Sequence, residues 1–333
     1  MHSFGFKVVP LEDGDAGVPV AVAGQSMVDI QKLLTDIGGI MVRLELRIQN
    51  DIPEQLLRKF DLNIGGSSGS GLGTDPSKGS EEIMERALDT LCATLDFLGT
   101  GAVGTWLEDN YPEPIGRKVV AQDMVALSDP LDGYKLIYGP KERQREFKGI
   151  NREKIEQYAE AETDTVEGGI VGVILKDPVR RNRWMIANDD QPVQISFGSN
   201  ISLSDVPSFA QAGPIIATGE IIRKDGKVTE VRNVHGCYSF PEVKFHRIMT
   251  PDKDIFLLNP SIARPGYTES RGLWTLTCDE LGIDVAKPSW DECVLAYHEY
   301  FAFLWETYYE SGDEFEGEEA EVRDFLASLA PVI

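Results

Sequence analysis

Two histidines and a cysteine that lie close together in the chain are the residues whose types most suggest chemistry. His235, Cys237 and His246 fall within a stretch of twelve residues, and alternation along a strand would place the first two on one face. Imidazole and thiolate groups bind zinc, but zinc sites normally use three or four protein ligands at closer motif spacing. The sequence therefore predicts no metal, and these three residues are the candidates if one is bound.

The same stretch contains Glu242-Val243-Lys244, with Asp225 upstream. This arrangement is superficially similar to the sites of PD-(D/E)xK nucleases, which assemble two carboxylates and a lysine around Mg²⁺. Asp225, however, falls in a predicted hairpin turn, and the chain has no G-x-S-x-G sequence for a nucleophilic serine. These patterns do not predict a catalytic residue.

A segment rich in glycine and serine, residues 65 to 74, could hold a phosphate group. It follows a predicted strand at residues 60 to 64 and precedes a helix predicted from Ser80 through Leu98, which is the order of a phosphate-binding loop. The segment matches neither G-x-x-x-x-G-K-[ST] nor G-x-G-x-x-G, and Glu81 and Glu82 open the helix where an anion would sit. We predict a flexible loop, with phosphate binding as an alternative. The glycines concerned are Gly69, Gly71 and Gly73.

Residues 166 to 236 carry the clearest architectural signal. Runs rich in β-branched and aromatic residues are bounded by Gly, Pro and Asp, and Asp225-Gly226 is typical of a hairpin turn. The predicted strands are residues 168–175, 183–187, 191–197, 214–222 and 228–234, with a helix at residues 205–211 between the third and the fourth. The pattern predicts a small antiparallel β-barrel.

The order of three strands, a helix and two strands resembles an OB-type barrel, over about a fifth of the chain and without any family motif. Another antiparallel barrel or a sandwich is the alternative. An OB-type barrel could bind single-stranded nucleic acid on its second and third strands and its first loop, where arginines neighbour aromatic residues. The candidate residues are Arg180, Arg181, Arg183, Trp184 and Phe197.

The chain before the barrel is predicted to be α+β. An amphipathic helix capped by Ser26 carries apolar residues at three-to-four spacing as far as Ile48. Gly38-Gly39 would either kink this helix or let another backbone approach closely. Residues 99 to 118, rich in Gly, Pro and aromatic residues, are interpreted as an irregular loop over a core.

The C-terminal part predicts two helices. Ser289 and Glu292 have capping-box spacing, and aromatic residues then recur every three or four positions until Ser311-Gly312. A second helix is predicted from about Glu318 to Leu329, and the pair is expected to form a helical hairpin. An aromatic face of this kind is typical of cores and of interfaces, and we predict a core.

Charge is distributed unevenly along the chain. The net charge is -23, and residues 279 to 333 contain fifteen Asp or Glu against Lys287 and Arg323, a local net of -13. Such a field repels polyanions and anionic membranes and could steer a basic protein partner, or it could serve solubility. Residues 135 to 154 are the opposite, with seven Lys or Arg against three acids.

Length and composition predict two or three domains for 333 residues. We expect an α+β domain at residues 1–160, a β-barrel domain at 165–260 and an acidic helical region at 261–333. No apolar run approaches the roughly 18 residues of a membrane span, no secretory signal is recognisable at the start, and four separated cysteines suit a reducing compartment. These features predict a cytoplasmic protein without a membrane partner.

Together these observations favour a non-enzymatic accessory or regulatory protein, which would act through protein–protein interaction on a partner with a basic surface. Two alternatives stay open. One is single-stranded nucleic-acid binding through the barrel, which the net charge disfavours. The other is an enzyme acting on a phosphorylated substrate. No cofactor is predicted.

Overall fold

The computed structural model describes residues 4–12, 17–64, 72–73, 82–99, 103–140, 143–161, 165–180, 183–189, 191–224 and 227–330. The chain forms two compact units. The first comprises Met1–Met41 and Pro53–Thr163, and the second comprises Val42–Ile52 and Asp164–Ile333. The division into three domains stays a prediction. Among the described residues, no helix combines the length and the hydropathy needed to cross a bilayer.

The first unit combines helices with an antiparallel sheet. Its described helices and strands are, in chain order, β1 (Phe4–Pro10), α1 (Val20–Leu46), α2 (Glu54–Leu57), β2 (Asn63–Ile64), β3 (Leu72–Gly73), α3 (Glu82–Gly99), α4 (Val103–Asn110), α5 (Pro114–Ser128), β4 (Tyr134–Pro140), β5 (Arg145–Phe147) and α6 (Arg152–Ala159). The end of α1, from Val42 onward, belongs to the second unit. The order of the described strands is β2-β3-β1-β4-β5, and neighbouring strands run antiparallel.

Helix α1 begins at Val20, so the prediction that Ser26 caps it is wrong. The residues before Ser26 contain no stop signal, and the Pro19 carbonyl accepts the first hydrogen bond of the helix from Ala23 N–H at 3.1 Å. Proline is favoured at the start of a helix because its missing N–H would have no partner there. Ser26 is instead an interior residue of the helix and fully buried.

The Gly38-Gly39 pair does not interrupt α1. A Cβ on Gly38 would lie 2.5 Å from the ring of Phe60, so this glycine makes room for an aromatic side chain. Gln31 holds the same segment, because its amide donates to Phe60 O at 3.1 Å and accepts from Leu62 N–H at 2.7 Å. The close contact at Gly38 therefore fixes how the chain after α2 packs on α1.

The prediction of an irregular loop at residues 99 to 118 is wrong, because α4 and the start of α5 occupy most of it. Pro114 stands in the first turn of α5, where proline is favoured. Trp106 of α4 stacks on Phe97 of α3 with ring centroids 5.6 Å apart. The prolines mark a junction between two helices, which composition alone does not distinguish from a loop.

The second unit contains a barrel, a sheet and the C-terminal helices. Its described elements after residue 164 are β6 (Thr165–Lys176), β7 (Trp184–Ala187), β8 (Val193–Phe197), α7 (Val206–Gln211), β9 (Ile215–Lys224), β10 (Lys227–Ser239), β11 (Val243–Met249), β12 (Asp254–Thr268), β13 (Leu273–Cys278), β14 (Ile283–Lys287), α8 (Trp290–Leu304) and α9 (Glu318–Leu329). A π-helical segment, Trp305–Glu310, directly continues α8.

Strands β6 to β10 close into a barrel, which confirms the predicted barrel, but the prediction that all its strands pair antiparallel is wrong. The order around the barrel is β6-β7-β8-β10-β9, and β9 pairs back to β6. Neighbours run antiparallel except β8 and β10, which are parallel with Ile195 opposite Val231. Both side chains belong to the barrel core, together with Ile170 and Ile186. A barrel of so few strands has room inside only for such side chains.

A bulge in β10 breaks the alternation that the sequence pattern implies. Asn233 has a positive φ of 49°, which asparagine tolerates better than most residues, and the register with β9 shifts beyond Arg232. Opposite the bulge, a Cβ on Gly219 would lie 2.7 Å from the Arg232 carbonyl oxygen. As a result His235 is exposed, whereas Cys237 packs against the barrel core.

Helix α8 buries its aromatic face against an antiparallel sheet, whose described strands have the order β11-β12-β13-β14. The rings of Trp290 and Trp274 meet edge to face with centroids 5.4 Å apart. Those of Tyr297 and Phe245 lie 5.2 Å apart. All four side chains are fully buried, so the prediction of a core for this face is confirmed.

The two predicted C-terminal helices are both present. Ser289 caps α8, because its hydroxyl accepts from Glu292 N–H at 3.2 Å. α9 spans the predicted residues and packs against β12, where the Asn259 amide donates to Ser328 O at 2.8 Å. Their pairing as a helical hairpin stays a prediction.

Replacing Gly38 by alanine is expected to destabilise the protein by about 1–3 kcal/mol, because the added methyl group must displace the ring of Phe60 in a packed core. Helix propensity alone would favour alanine by about 1 kcal/mol. Gly24, also in α1, has nothing within 4 Å of its Cβ position, so Gly24→Ala is the matched control and should stabilise. Urea denaturation measures both variants, and a stabilised Gly38→Ala protein would contradict the packing argument.

Candidate functional site

One face of α8 remains accessible once its aromatic face is buried. Its residues recur every three or four positions along α8 and the π-helical segment, and they combine carboxylates with two exposed aromatic rings. They are Glu292, Ala296, Glu299, Tyr300, Phe303, Glu306 and Glu310. We call this set the acidic-aromatic face.

Two aromatic rings lie in the middle of the acidic-aromatic face. Tyr300 is 44% exposed and Phe303 is 59% exposed, so neither side chain serves the core. Their rings are in edge contact, with centroids 6.3 Å apart. Aromatic residues are enriched at protein interfaces relative to the remaining surface. An adjacent exposed pair is therefore typical of a binding surface.

The four carboxylates of this face differ in whether they have a cationic partner. Lys253 serves both Glu306 and Glu310, with its Nζ 3.9 Å from Glu306 Oε2 and in close contact with Glu310. Over the described ranges, no ion pair joins Glu292 or Glu299 to a lysine, an arginine or a histidine. Both of these side chains are exposed. The N-terminal half of the face consequently carries unneutralised negative charge.

The π-helical segment sets the position of the last carboxylate on this face. The indole N–H of Trp305 donates to Glu310 Oε1 at 3.2 Å, and the Trp305 ring lies 4.2 Å from the ring of Tyr309. Trp305 itself is buried. Segments of π-helix are rare and are frequently found at functional sites.

A buried polar network anchors the start of α8. Asp291 accepts hydrogen bonds from the backbone N–H groups of Gln49 at 2.9 Å and Asn50 at 2.8 Å, and from the Asn50 amide at 3.0 Å. Burial raises the pKa of the Asp291 carboxyl, and these three donors oppose the increase. The indole N–H of Trp290 donates to Arg47 O at 3.2 Å. The acidic-aromatic face is thus presented by a firmly held helix.

His298, on the buried side of α8, is a structural acceptor. Its Nδ1 accepts a hydrogen bond from Met249 N–H at 3.0 Å, and its ring meets Phe245 edge to face at 4.7 Å. Complete burial lowers the pKa of His298 to about 3, because a charged imidazole would lose its hydration. The imidazole is therefore neutral at physiological pH, and its surroundings do not suit a general base.

The arginines predicted to bind nucleic acid lie at the edge of the barrel. Arg180 and Arg183 are exposed, and Arg183 donates to Gln194 Oε1 of β8 at 3.1 Å. Arg181 lies outside the described residues. The two described guanidinium groups are thus accessible from solvent.

The two aromatic residues predicted to stack on bases have a different environment. Trp184 and Phe197 are half-buried and pack against the barrel core. Trp184 lies opposite Ile195, a core residue, and paired residues share one face of a sheet. A stacking platform needs aromatic rings on the surface beside the cations. The half-buried rings thus pack toward the barrel core, and nucleic-acid binding by these residues stays a prediction.

The basic segment at residues 135 to 154 is partly neutralised inside the first unit, where Asp96 and Asp129 add to its own acids. Four of its described cations are paired with carboxylates. The pairs are Lys135 with Glu146, Arg145 with Asp96, Lys148 with Glu146 and Arg152 with Asp129. Because polyanion binding is driven by cations that replace counterions on phosphates, paired side chains contribute less to it.

The three candidate zinc ligands do not converge. The exposed His235 places its Nδ1 3.3 Å from Glu167 Oε1, and His246 is exposed on β11. Cys237 packs on the barrel core, where burial raises the pKa of its thiol to about 11. In the part of the chain that the structure describes, no three His, Cys, Asp or Glu side chains are grouped as a metal site would require.

The glycine-rich segment considered as an alternative phosphate site, and the Asp225 of the nuclease-like pattern, fall mostly outside the described residues. This holds for Gly69, Gly71 and Asp225. Gly73 is the last residue of β3 and pairs with Gly5 of β1, so it belongs to the sheet of the first unit. Phosphate binding by this segment stays a prediction.

The first unit contains a buried carboxylate that the sequence pattern did not predict. Asp123 is 3% exposed, and the Lys32 ammonium contacts it closely while lying 2.8 Å from Asp36 Oδ2. Burial, reinforced by the neighbouring Asp36 carboxyl, raises the pKa of Asp123 to about 7 against the opposing effect of Lys32. The available signal was an acid within the apolar stripe of α5, beside Met124 and one turn from Val120. So little exposure favours a role in stability over contact with a substrate.

Comparison with protein-family models, with curated proteins and with solved structures finds no match for this chain.

Titration of Asp123 is expected to make the protein less stable as the pH rises from about 4 to about 7. The pKa of this carboxyl is higher in the folded chain than its ordinary 3.8, so the folded state binds more protons than the unfolded state across that window. Asp123→Asn keeps the shape of the protonated carboxyl but cannot ionise. It should therefore remove the part of the pH dependence of stability that comes from Asp123. At pH 8 the free energy of unfolding of the variant should then exceed that of the wild type by an amount on the order of a few kcal/mol.

Urea denaturation between pH 4 and pH 8 measures the difference between the two proteins. Asp109→Asn, a substitution at an exposed aspartate of α4, is the control and should follow the wild type. Parallel pH profiles for the wild type and Asp123→Asn would show that the pKa of Asp123 is not raised.

Proposed function

We propose that this chain is a non-enzymatic accessory or regulatory protein that binds a protein partner through the acidic-aromatic face. The partner carries a basic surface. The observation that most supports this is the exposed pair of Tyr300 and Phe303 beside Glu292 and Glu299, carboxylates that have no ion-pair partner among the described residues. Unpaired carboxylates steer a basic partner, and aromatic side chains dominate binding energy where they become desolvated.

The charge beyond α8 supports the same proposal. Glu318, Glu319 and Glu321 open α9 and are exposed, and they extend the negative field of the C-terminal region. Charge alone would equally serve solubility. Solubility does not require exposed aromatic rings, however. The combination of exposed glutamates with exposed aromatic rings therefore favours binding.

We also propose that the barrel is OB-type and that α8 and α9 form a helical hairpin. The order β6-β7-β8-β10-β9, the parallel pairing of β8 with β10 and the position of α7 after the third strand support the first assignment. Contact of α9 with the π-helical segment supports the second.

Single-stranded nucleic acid is the second candidate ligand, and the exposed Arg180 and Arg183 favour it. The orientation of Trp184 and Phe197 toward the barrel core and the net charge of -23 oppose it. We therefore rank it below the protein partner. The described residues offer no support for an enzyme acting on a phosphorylated substrate.

Affinity capture from a native lysate tests the main proposal. Tagged wild type should recover a basic protein at low salt, and a Glu292→Gln/Glu299→Gln/Phe303→Ala variant should lose it. Glu318→Gln/Glu319→Gln removes the same charge from α9 and is the matched control. It weakens the long-range attraction equally but should still recover the partner, because the carboxylates and rings of the acidic-aromatic face are intact. With the purified partner, we expect the first variant to bind roughly tenfold more weakly or worse. Equal recovery by all three proteins, or none at low salt, would sink the proposal.

Titration with a labelled single-stranded oligonucleotide tests the second candidate. At about 50 mM salt, where phosphate contacts are strong, we expect neither tryptophan quenching nor salt-sensitive binding. Salt-sensitive binding that disappears in Arg180→Ala/Arg183→Ala would instead favour the nucleic-acid role.

A further inference from the structure

The acidic-aromatic face has the spacing of a heptad repeat. One row consists of residues seven positions apart, and a second row follows it by four positions. The first row is Glu292, Glu299 and Glu306, and the second is Ala296, Phe303 and Glu310. Within α8, alternating steps of four and three residues form a nearly straight stripe, as in the seam of a coiled coil. Trp305–Glu310 is π-helical and turns more widely, so the straight stripe runs from Glu292 to Phe303 and is roughly 16 Å long.

This stripe lies on the exposed side of α8, not on the side that packs on the sheet. Glu292, Glu299, Phe303 and Glu306 are exposed, and Ala296 is half-buried. The opposite face holds the core aromatic residues. The heptad spacing is therefore available to a second element, which the described part of the chain does not supply.

We propose, building on the function proposed above, that the partner segment is a basic amphipathic helix that packs along this stripe. Its lysines or arginines face the glutamate row, and its apolar side chains face the row of Ala296 and Phe303. A strand would fit poorly, because its side chains repeat every two residues and cannot follow a heptad stripe. A helix can follow it over its whole length.

The second row determines which apolar side chains the partner needs. Ala296 leaves space on the helix surface, whereas the Phe303 ring projects from it with 59% of its surface exposed. Complementary packing requires a large residue opposite Ala296 and a small residue opposite Phe303. The adjacent ring of Tyr300 offers its face to a partner cation.

The N-terminal carboxylates of this face should distinguish between partner helices more strongly than the C-terminal ones. Glu306 and Glu310 already share Lys253, whereas Glu292 and Glu299 have no such pair among the described side chains. A partner cation gains most opposite an unpaired carboxylate. Contacts at Glu292 and Glu299 should therefore dominate discrimination between partner helices.

Three synthetic helical peptides of about 20 residues, titrated against the full-length protein at about 50 mM and about 200 mM salt, test this inference. The matched peptide has lysines at heptad spacing, one leucine to face Ala296 and one alanine to face Phe303. The second peptide has leucine at both apolar positions. The third has the composition of the matched peptide with its lysines moved off the heptad positions.

We expect the matched peptide to bind at least tenfold more tightly than either of the others. The double-leucine peptide is the more apolar one, so general hydrophobicity would predict the opposite order. In the Phe303→Ala protein, the double-leucine peptide should bind as tightly as the matched peptide, because the substitution opens space for the second leucine. Glu299→Lys should weaken the matched peptide, and a peptide with glutamate at the facing position should recover binding. Glu321→Lys on α9 is the control and should leave the order unchanged.

Equal binding of all three peptides would overturn the helical stripe and leave a basic partner of another shape. Binding of none at 50 mM salt would also overturn it. Neither result decides the proposed function, which depends on capture of a protein by the wild type and its loss with the α8 variant. If the wild type captures no basic protein, or if the α8 variant captures it equally well, both proposals are wrong.

Discussion

Burial of the aromatic face of α8 is the interaction on which the second unit depends. Trp290, Tyr297 and Phe301 have no exposed surface, and fully burying one such side chain contributes about 1.5–3 kcal/mol. Because a helix turns once in 3.6 residues, a buried stripe of this width dictates which residues lie on the opposite side. The glutamates and the exposed rings are presented to solvent by the same packing that holds the helix. The proposed binding surface is thus a consequence of the core.

The network at Asp291 adds directional constraint to this apolar packing. Hydrophobic contact is non-directional and would allow α8 to slide along the sheet. Three donors converging on one buried carboxylate have defined positions, and losing any of them would leave a buried charge short of hydrogen bonds. The network joins the first turn of α8 to residues more than two hundred positions earlier in the chain.

Pairing, more than charge count, distinguishes the two charged regions. The basic segment at residues 135 to 154 carries a clear excess of cations in sequence, yet several of them meet carboxylates within the first unit. Lys253 pairs with Glu306 and Glu310 of the π-helical segment, and among the described residues no ion pair reaches Glu292 or Glu299 of α8. The net charge of a segment is therefore a poor guide to binding, because ion pairs within the chain reduce the charge that a partner meets.

The chain's alternation and spacing by themselves determined a five-stranded barrel with a helix after its third strand. They also determined two C-terminal helices, the first capped by Ser289 and the second beginning at Glu318. These features follow from local periodicity, which each segment carries alone. The same alternation places Trp184 on the inward face of its strand with Ile186. Only the tertiary structure decided the bulge at Asn233, the partners of the basic segment and the environment of Asp123. Each of these depends on residues far apart in sequence, and no local pattern records which distant side chain will meet a charge or fill a gap.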